Sequence, residues 1–150
     1  MTPGVASGAG GLRRGSGEAR AWMLLRICLG VFLIVKSISK FGWLLDSSPL
    51  SARLVEWAAK PESIAISRAY AQMLIPAVAV FARLALIGEL GGGIALIAGV
   101  QTRIVAVLAL LMIVNYHFAS GGLFAYDFLS DASGLVVVGA LAALAWGGGR

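Results

Sequence analysis

Four apolar segments, separated by short polar stretches, occupy most of this chain. A membrane-spanning helix needs about 20 predominantly apolar residues, within a range of about 17–25. The first two segments exceed this length, the third reaches it only if residues 116–120 continue it, and the fourth is close to the lower limit. The pattern predicts an all-α integral membrane protein, a four-transmembrane-helix bundle. Its spans are 22–45, 77–100, 104–118 and 129–146.

The stretch 46–75, between the first two segments, contains a further amphipathic pattern. Ser48 is suited to cap a helix and Pro49 to occupy its first position, while Pro61 ends it. Apolar and polar positions then fall on opposite faces: Leu50, Leu54 and Trp57 on one, and Arg53, Glu56 and Lys60 on the other. We expect a short interfacial helix in the membrane surface. Packing of the same helix against the end of the bundle fits the pattern equally well.

Residues 1–20 are rich in Gly, Ser and Ala, a composition that buries little apolar surface. We therefore expect a disordered cytoplasmic tail over 1–20 and a membrane domain over 21–147. A cleaved signal peptide fits less well, because Lys36 and Lys40 follow the first apolar run and no small-residue cleavage site follows it. The first apolar run is accordingly predicted to be a retained anchor.

The composition supports a membrane location and argues against other classes of protein. Fifty-nine percent of the residues are apolar and only 13% are charged, whereas charged residues make up about a quarter of soluble domains. A soluble enzyme, a disordered protein and a nucleic-acid partner are therefore not expected. The net charge of +5 is attributed to membrane topology and to contact with lipid.

The distribution of basic residues predicts the orientation. Cytoplasmic loops of membrane proteins carry an excess of Lys and Arg. Placing the N-terminus in the cytoplasm leaves three basic residues outside, namely Arg53, Lys60 and Arg68. It puts five inside, namely Arg13, Arg14, Arg20, Arg103 and Arg150. This bias predicts a multi-pass protein of a bacterial-type inner membrane, with both termini cytoplasmic.

Several polar side chains fall within the predicted spans, where they are costly and are functional hypotheses by default. At 1.5 Å per residue, Lys36, Glu89 and His117 lie roughly 21 Å above the inner ends of their helices. One interpretation is a polar pocket that opens outward and holds a proton-exchanging or carbonyl-bearing ligand, and the same groups could exchange protons with a quinone head group. Its candidate ligands are Lys36, Lys40, Glu89, Arg83, Asn115 and His117. The alternative is a Lys36–Glu89 ion pair that only fixes helix register.

Small residues in the second span predict close helix packing. Spacings of the small-xxx-small type let helix backbones approach each other. The predicted packing face consists of Gly88, Gly91, Gly92, Ala95 and Gly99. A nucleotide-binding loop is not expected here, because no strand precedes these glycines.

The chain has one cysteine, Cys28, and one histidine, His117. These exclude an internal disulfide, a CxxC redox pair and a multi-histidine haem or zinc site built from this chain alone. We therefore expect no metal, no covalently bound cofactor and no self-contained redox centre, and we assign no catalytic residue. A redox role would require a partner protein.

Several short motifs lie along the first three spans. They are Leu25-Arg26, Gly30 and Ser39-Lys40-Phe41 in the first span, GELGGG (88–93) and AGVQTR (98–103) in the second, and NYHFASG (115–121) in the third. Together these motifs resemble the DoxX family, including the small DoxD subunit of thiosulfate:quinone oxidoreductase. The resemblance covers roughly residues 22–146. Lys36 departs from it, since a small residue is more usual there.

The resemblance implies a four-helix membrane bundle associated with redox work, with quinone as acceptor and with soluble partners in some members. We therefore expect a small membrane subunit of a quinone-linked redox system, whose own enzymatic activity stays open. One alternative is a non-catalytic accessory subunit of a larger respiratory or photosynthetic membrane complex. Another is a small proton-coupled exporter that uses Glu89, although basic neighbours stabilise the charged carboxylate and argue against this.

Overall fold

A computed structural model describes residues 9–148, with the side chains of 15–126 and 128–148. All the regular secondary structure in this range is helical, and it contains no strand. Short 3₁₀ turns at Phe41–Leu44, Ile75–Ala77 and Gly122–Phe124 join some of the helices. The α-helices of this range are α1 (Ala9–Ile38), α2 (Ser48–Ala59), α3 (Ala65–Leu74), α4 (Val78–Ala98), α5 (Thr102–Ala119), α6 (Asp127–Ser130) and α7 (Leu135–Gly147).

Within the described residues, three helical segments are long and apolar enough to cross a membrane. They are Gly15–Ile38, Ala65–Ala98 and Thr102–Ala119, and they correspond to the first three predicted spans. The fourth apolar segment is divided between α6, which has 4 residues, and α7, which has 13. At 1.5 Å per residue α7 is about 20 Å long, against a hydrocarbon core of about 30 Å. The fourth span therefore stays a prediction.

Large apolar side chains lie on the outside of the bundle as well as in its core. Helix α1 packs along α4, and α5 packs against both α4 and α7. The inner apolar cluster consists of Leu29, Leu33, Leu96, Ala106, Ala109, Ile113, Val137, Leu141 and Leu144. Meanwhile Leu24, Val35, Leu84 and Leu108 are all more than half exposed. Exposed apolar side chains on several helices are typical of a protein embedded in lipid.

Helices α1 and α4 make direct backbone contact at Gly30 and Gly93. A methyl group added to either glycine would lie 2.7 Å from the carbonyl oxygen of the other. Gly93 was not part of the predicted packing face, yet it is four residues after Glu89 and therefore on the same side of α4. The two glycines let α1 and α4 approach closely, as small residues do in other membrane helix pairs.

The predicted packing face of α4 is used unevenly. Gly92 is close to Leu33 and Val105, Gly88 lies against Met112, and Ala95 is partly buried. A methyl group added to Gly91 would meet nothing within 4 Å. Gly99 has a positive φ of 76° at the end of α4 and lies against the Arg26 guanidinium.

Helices α2 and α3 form a cap, named here the α2–α3 cap, over one end of the bundle. The two helices pack on each other, α2 packs on α4, and α3 packs on α5. Leu50 and Leu54 of α2 are buried in an outer apolar cluster, which also includes Trp43, Leu74 and Ala119. The apolar face of α2 thus contacts the bundle itself. Its position in the membrane surface stays a prediction.

Helix α1 begins at Ala9 and so includes residues 9–20, which composition predicts to be a disordered tail. No proline interrupts the sequence from 9 to 38, so each residue there has the backbone N–H that a continuous helix needs. Residues 1–8 lie outside the described residues, and the division of the chain at residue 20 stays a prediction. The orientation argument also uses Arg13, Arg14 and Arg150, whose side chains lie outside the described set.

Candidate functional site

A cavity of about 230 Å³ lies between α1, α4, α5 and the α2–α3 cap. It separates the inner apolar cluster from the outer one, since Leu33 and Ile113 line it on one side and Trp43 and Leu54 on the other. We call it the polar cavity. Its polar lining includes Lys36, Ser39, Lys40, Arg53, Glu89, Asn115, Tyr116 and Ser133.

An ion pair between Lys40 and Glu89 occupies one wall of the polar cavity. Lys40 Nζ donates to Glu89 Oε1, and the two side chains are only 13% and 11% exposed. Lys40 Nζ also lies 5.6 Å from the centre of the Trp43 ring. The second carboxylate oxygen, Oε2, is buried and has no hydrogen-bond partner among the described residues. One oxygen of this carboxylate therefore has a partner among the described residues, and the other has none.

Two further cations line the polar cavity without a carboxylate within 4 Å among the described side chains. Lys36 Nζ lies 5.8 Å from the centre of the Phe32 ring. Arg53 is exposed, and its Nη1 donates to the Tyr116 hydroxyl at 3.4 Å. The described lining thus holds three basic side chains and one carboxylate, so its charge favours a ligand with anionic or carbonyl oxygens.

Aromatic and amide side chains complete the walls. The Tyr70 hydroxyl donates to Asn115 Oδ1, which holds the amide at the edge of the cavity. The Trp57 and Tyr116 rings meet edge to face at 5.1 Å. Together with Phe32 and Trp43 these rings form apolar surfaces beside the charged groups. A flat ligand with polar oxygens at its edge would match both features.

A second cavity, of about 340 Å³, adjoins the polar cavity. Lys40, Trp43 and Arg53 line both cavities, and the second continues to Asp46 and Pro49 at the start of α2. Basic side chains thus border both cavities.

Lys36, Lys40, Glu89 and Asn115, four of the predicted ligands, line the polar cavity, and the other two lie elsewhere. His117 is buried, with Nε2 3.0 Å from the Ser133 carbonyl oxygen. Arg83 is exposed, and its Nε donates to the Leu44 carbonyl at 3.4 Å. The described lining also includes Arg53 and Trp57, which sequence reasoning placed on opposite faces of α2. Their i, i+4 spacing is the signal that unites them.

The different positions of His117 and Arg83 follow from helix geometry. His117 is two residues after Asn115, which turns its side chain by about 200° around α5. Arg83 is six residues before Glu89, which places the two side chains about 120° apart around α4. Both side chains therefore leave their helices on sides that do not line the cavity. These residues were grouped by their positions along the helices. The directions of their side chains about the helix axes differ, and these directions decide which of them line the cavity.

The loop before α7 has its own polar network. Asp131 Oδ1 accepts hydrogen bonds from the Ser133 hydroxyl at 2.5 Å and from the Ser133 backbone N–H at 2.6 Å. The hydroxyl bond is the main reason that the pKa of Asp131 lies below its ordinary value. The Ser133 carbonyl oxygen accepts from His117 Nε2, and Ser133 also lines the polar cavity. This loop therefore links His117 to the cavity wall.

Replacing Ser133 with alanine is expected to raise the pKa of Asp131 toward its ordinary value. A carboxyl with a lowered folded pKa stabilises the fold above its unfolded pKa, and this contribution is lost as pH falls through the folded pKa. In the native chain the loss therefore begins below about pH 4. The ¹³C carboxyl shift of Asp131, followed with pH, measures the change. Ser51→Ala in α2 is the control, and an unchanged midpoint in Ser133→Ala would contradict the assignment.

The fold and the cavity define a small helical membrane protein with a polar site inside an apolar bundle. The family model for DoxX matches residues 21–121. The chain therefore belongs to the DoxX family. The match includes every residue named in the cavity lining except Ser133. No curated protein and no solved structure matches the chain.

Proposed function

We propose that this DoxX-family protein is a small integral membrane subunit that holds a quinone head group in the polar cavity and works with a redox partner protein. The observation that carries the proposal is the cavity lining, in which three basic side chains (Lys36, Lys40 and Arg53) and the carboxylate of Glu89 lie beside aromatic walls. Basic side chains donate hydrogen bonds to ring oxygens, and aromatic rings pack against a flat ring.

The size of the cavity supports a head group as the ligand. Sites for drug-sized ligands have volumes of roughly 300–1,000 Å³, and the polar cavity has about 230 Å³. A single substituted ring suits this volume better than a larger cofactor. Phe32, Trp43 and Trp57 supply the apolar surfaces against which such a ring would lie.

The residues of the chain would bind, orient and exchange protons with the ligand. A bound quinone supplies two-electron, two-proton chemistry. Lys36 and Arg53 orient ring oxygens, while the Lys40–Glu89 pair holds a proton-donating and a proton-accepting group on one wall. Electrons would come from a partner, because a single cysteine and a single histidine supply no redox pair or multi-ligand metal centre within this chain.

The proposal includes a topology. The α7 helix would form the fourth span, both termini would face the cytoplasm of a bacterial-type inner membrane, and α2 would lie at the opposite membrane surface. Three described segments of sufficient length and apolar character support the membrane location. In this orientation the polar cavity and its α2–α3 cap are on the outer side, where a soluble or membrane-bound partner can reach them.

Replacing Lys36 with methionine is expected to weaken quinone binding at least tenfold, because one of the two cations without a nearby carboxylate is removed from the cavity. The measurement is quenching of tryptophan fluorescence by a short-chain benzoquinone, with the protein in lipid nanodiscs. A background carrying Trp22→Phe and Trp146→Phe leaves Trp43 and Trp57, which both line the cavity, as the reporters.

Lys60→Met is the matched control, because Lys60 pairs with Glu62 outside the cavity. It should bind quinone as the background protein does. Unchanged affinity in Lys36→Met, or no saturable quenching in the background protein, would show that the cavity is not the quinone site. Co-purification from native membranes in mild detergent then separates the two kinds of assembly. A redox protein in the complex supports the proposal, and a large complex without quinone supports the accessory subunit.

A further inference from the structure

One buried polar atom in the cavity wall has no hydrogen-bond partner among the described residues. Glu89 is 8% exposed and lines the polar cavity. Its Oε1 accepts from Lys40 Nζ, while its buried Oε2 has no hydrogen-bond partner among the described residues. The other basic side chains of the lining, Lys36 and Arg53, form no ion pair with Glu89 within 4 Å.

The chemistry of this atom specifies the complementary group on a ligand. In its ion pair with Lys40 the Glu89 carboxylate offers acceptors only. A buried acceptor without a donor is unfavourable, and a charge-assisted hydrogen bond to it is among the stronger ones. A ligand hydroxyl therefore fits at Oε2. A ligand carbonyl there would place two acceptors against each other.

We propose that the polar cavity selects the reduced, hydroxylated form of the quinone, with a quinol hydroxyl donating to Glu89 Oε2. This inference rests on the proposed function and adds the redox state of the ligand. The other ring oxygen accepts a hydrogen bond from Lys36 or Arg53, the cations without a nearby carboxylate. The asymmetry of the lining, with an acceptor on one wall and donors on others, thus distinguishes quinol from quinone, which has no hydroxyl to donate.

The test compares two redox forms of one probe on the full chain in nanodiscs. A short-chain benzoquinone and the corresponding hydroquinone are titrated anaerobically by isothermal calorimetry. We expect the hydroquinone to bind at least tenfold more tightly. The dimethyl ether of the same hydroquinone has no O–H, and it should bind the native chain at least tenfold more weakly than the hydroquinone. This second comparison needs no variant and so does not depend on the folding of an altered protein.

A variant tests the assignment to Glu89. In Glu89→Gln, the side-chain oxygen can still accept from Lys40, and the amide nitrogen then occupies the place of Oε2 as a donor. The preference for hydroquinone should disappear or reverse toward the benzoquinone. Glu62→Gln, an exposed carboxylate outside the cavity, should keep the native preference. Retention of the native preference in Glu89→Gln would overturn the assignment.

The possible outcomes distinguish a failure of this inference from a failure of the proposed function. Equal affinity for the two redox forms, or tighter binding of the benzoquinone, would overturn the selection of quinol and leave the quinone site standing. Equal affinity for the hydroquinone and its dimethyl ether would also overturn it, because a water molecule would then be sufficient to satisfy Oε2. Binding of neither redox form would overturn the proposed function, and the inference with it.

Discussion

Gly93→Leu is expected to destabilise the fold of this protein strongly. Gly93 and Gly30 bring the backbones of α4 and α1 into contact, and a methyl group at either would lie 2.7 Å from a carbonyl oxygen. Backbone atoms do not move aside as a flexible side chain does, so the helices must separate. The expected loss of stability is about 3 kcal/mol or more, at the upper end for overpacked sites. The measurement is the yield of monodisperse protein after detergent extraction, together with its thermal midpoint.

Gly91→Leu provides a matched control, two residues away on the same helix. Nothing lies within 4 Å of a methyl group added there, so the leucine would extend into open space. Yield and midpoint should stay close to those of the native chain, because Leu favours a helix more than Gly does. If Gly93→Leu were tolerated as well as Gly91→Leu, the close crossing of α1 and α4 would be wrong.

The second large effect is expected at the Lys40–Glu89 pair. Replacing Lys40 with methionine leaves the Glu89 carboxylate buried without its partner. Removing one member of a buried ion pair typically costs about 3–5 kcal/mol. We expect the lower part of that range, because the pair borders a cavity and its side chains are 13% and 11% exposed. Unfolding of the purified protein by SDS in mixed micelles measures the change.

Two further variants make this result specific. Lys40→Met combined with Glu89→Leu should recover most of the lost stability, since an apolar pair can replace a buried ion pair at little cost. Lys60→Met should change stability by less than about 1 kcal/mol, because Lys60 and Glu62 are 3.8 Å apart and their side chains are 36% and 67% exposed. A double variant as unstable as Lys40→Met would show that the loss does not come from the unpaired carboxylate.

The membrane-helix pattern is the part of the fold that sequence predicts best. Continuous apolar runs predict α4 and α5 with ends within a few residues of the observed ones. The same pattern predicts α1, although this helix begins earlier than expected and ends before Leu45. Hydrophobicity was less informative at α3, whose alternation of small, polar and apolar residues does not stand out from a loop. It also missed the break around Ser130–Gly134, because a short turn hardly changes the mean hydropathy of a window.

Sequence predicted the positions of the site residues along their helices, but only partly the directions in which their side chains point. Lys36, Glu89 and His117 were expected at one level, and the first two do line one cavity. The partner of Glu89 is Lys40 and not Lys36. These lysines are one turn apart on the same face of the chain, and depth estimates for straight helices do not resolve a single turn of about 5.4 Å.

The α2–α3 cap could not be positioned from sequence alone. Its amphipathic pattern fits a membrane surface and a bundle end equally, because both present an apolar surface on one side and water on the other. Burial of Leu50 and Leu54 against Trp43 and Leu74 shows that the cap has a partner within the chain. The contribution of Arg53 to the cavity depends on that contact, which the i, i+4 spacing of Arg53 and Trp57 does not by itself predict.

The central claim is that a quinone head group occupies the polar cavity, and photolabelling tests it most directly. A quinone carrying an azido group on the ring would be irradiated with the protein in native membranes, and the labelled peptides would be mapped by mass spectrometry. We predict labels within 32–43, 53–57 and 112–116, which contribute to the cavity, and their loss when unlabelled quinone is in excess. Labels confined to lipid-exposed positions such as Leu84 and Leu108, or labels that excess quinone does not displace, would contradict the account.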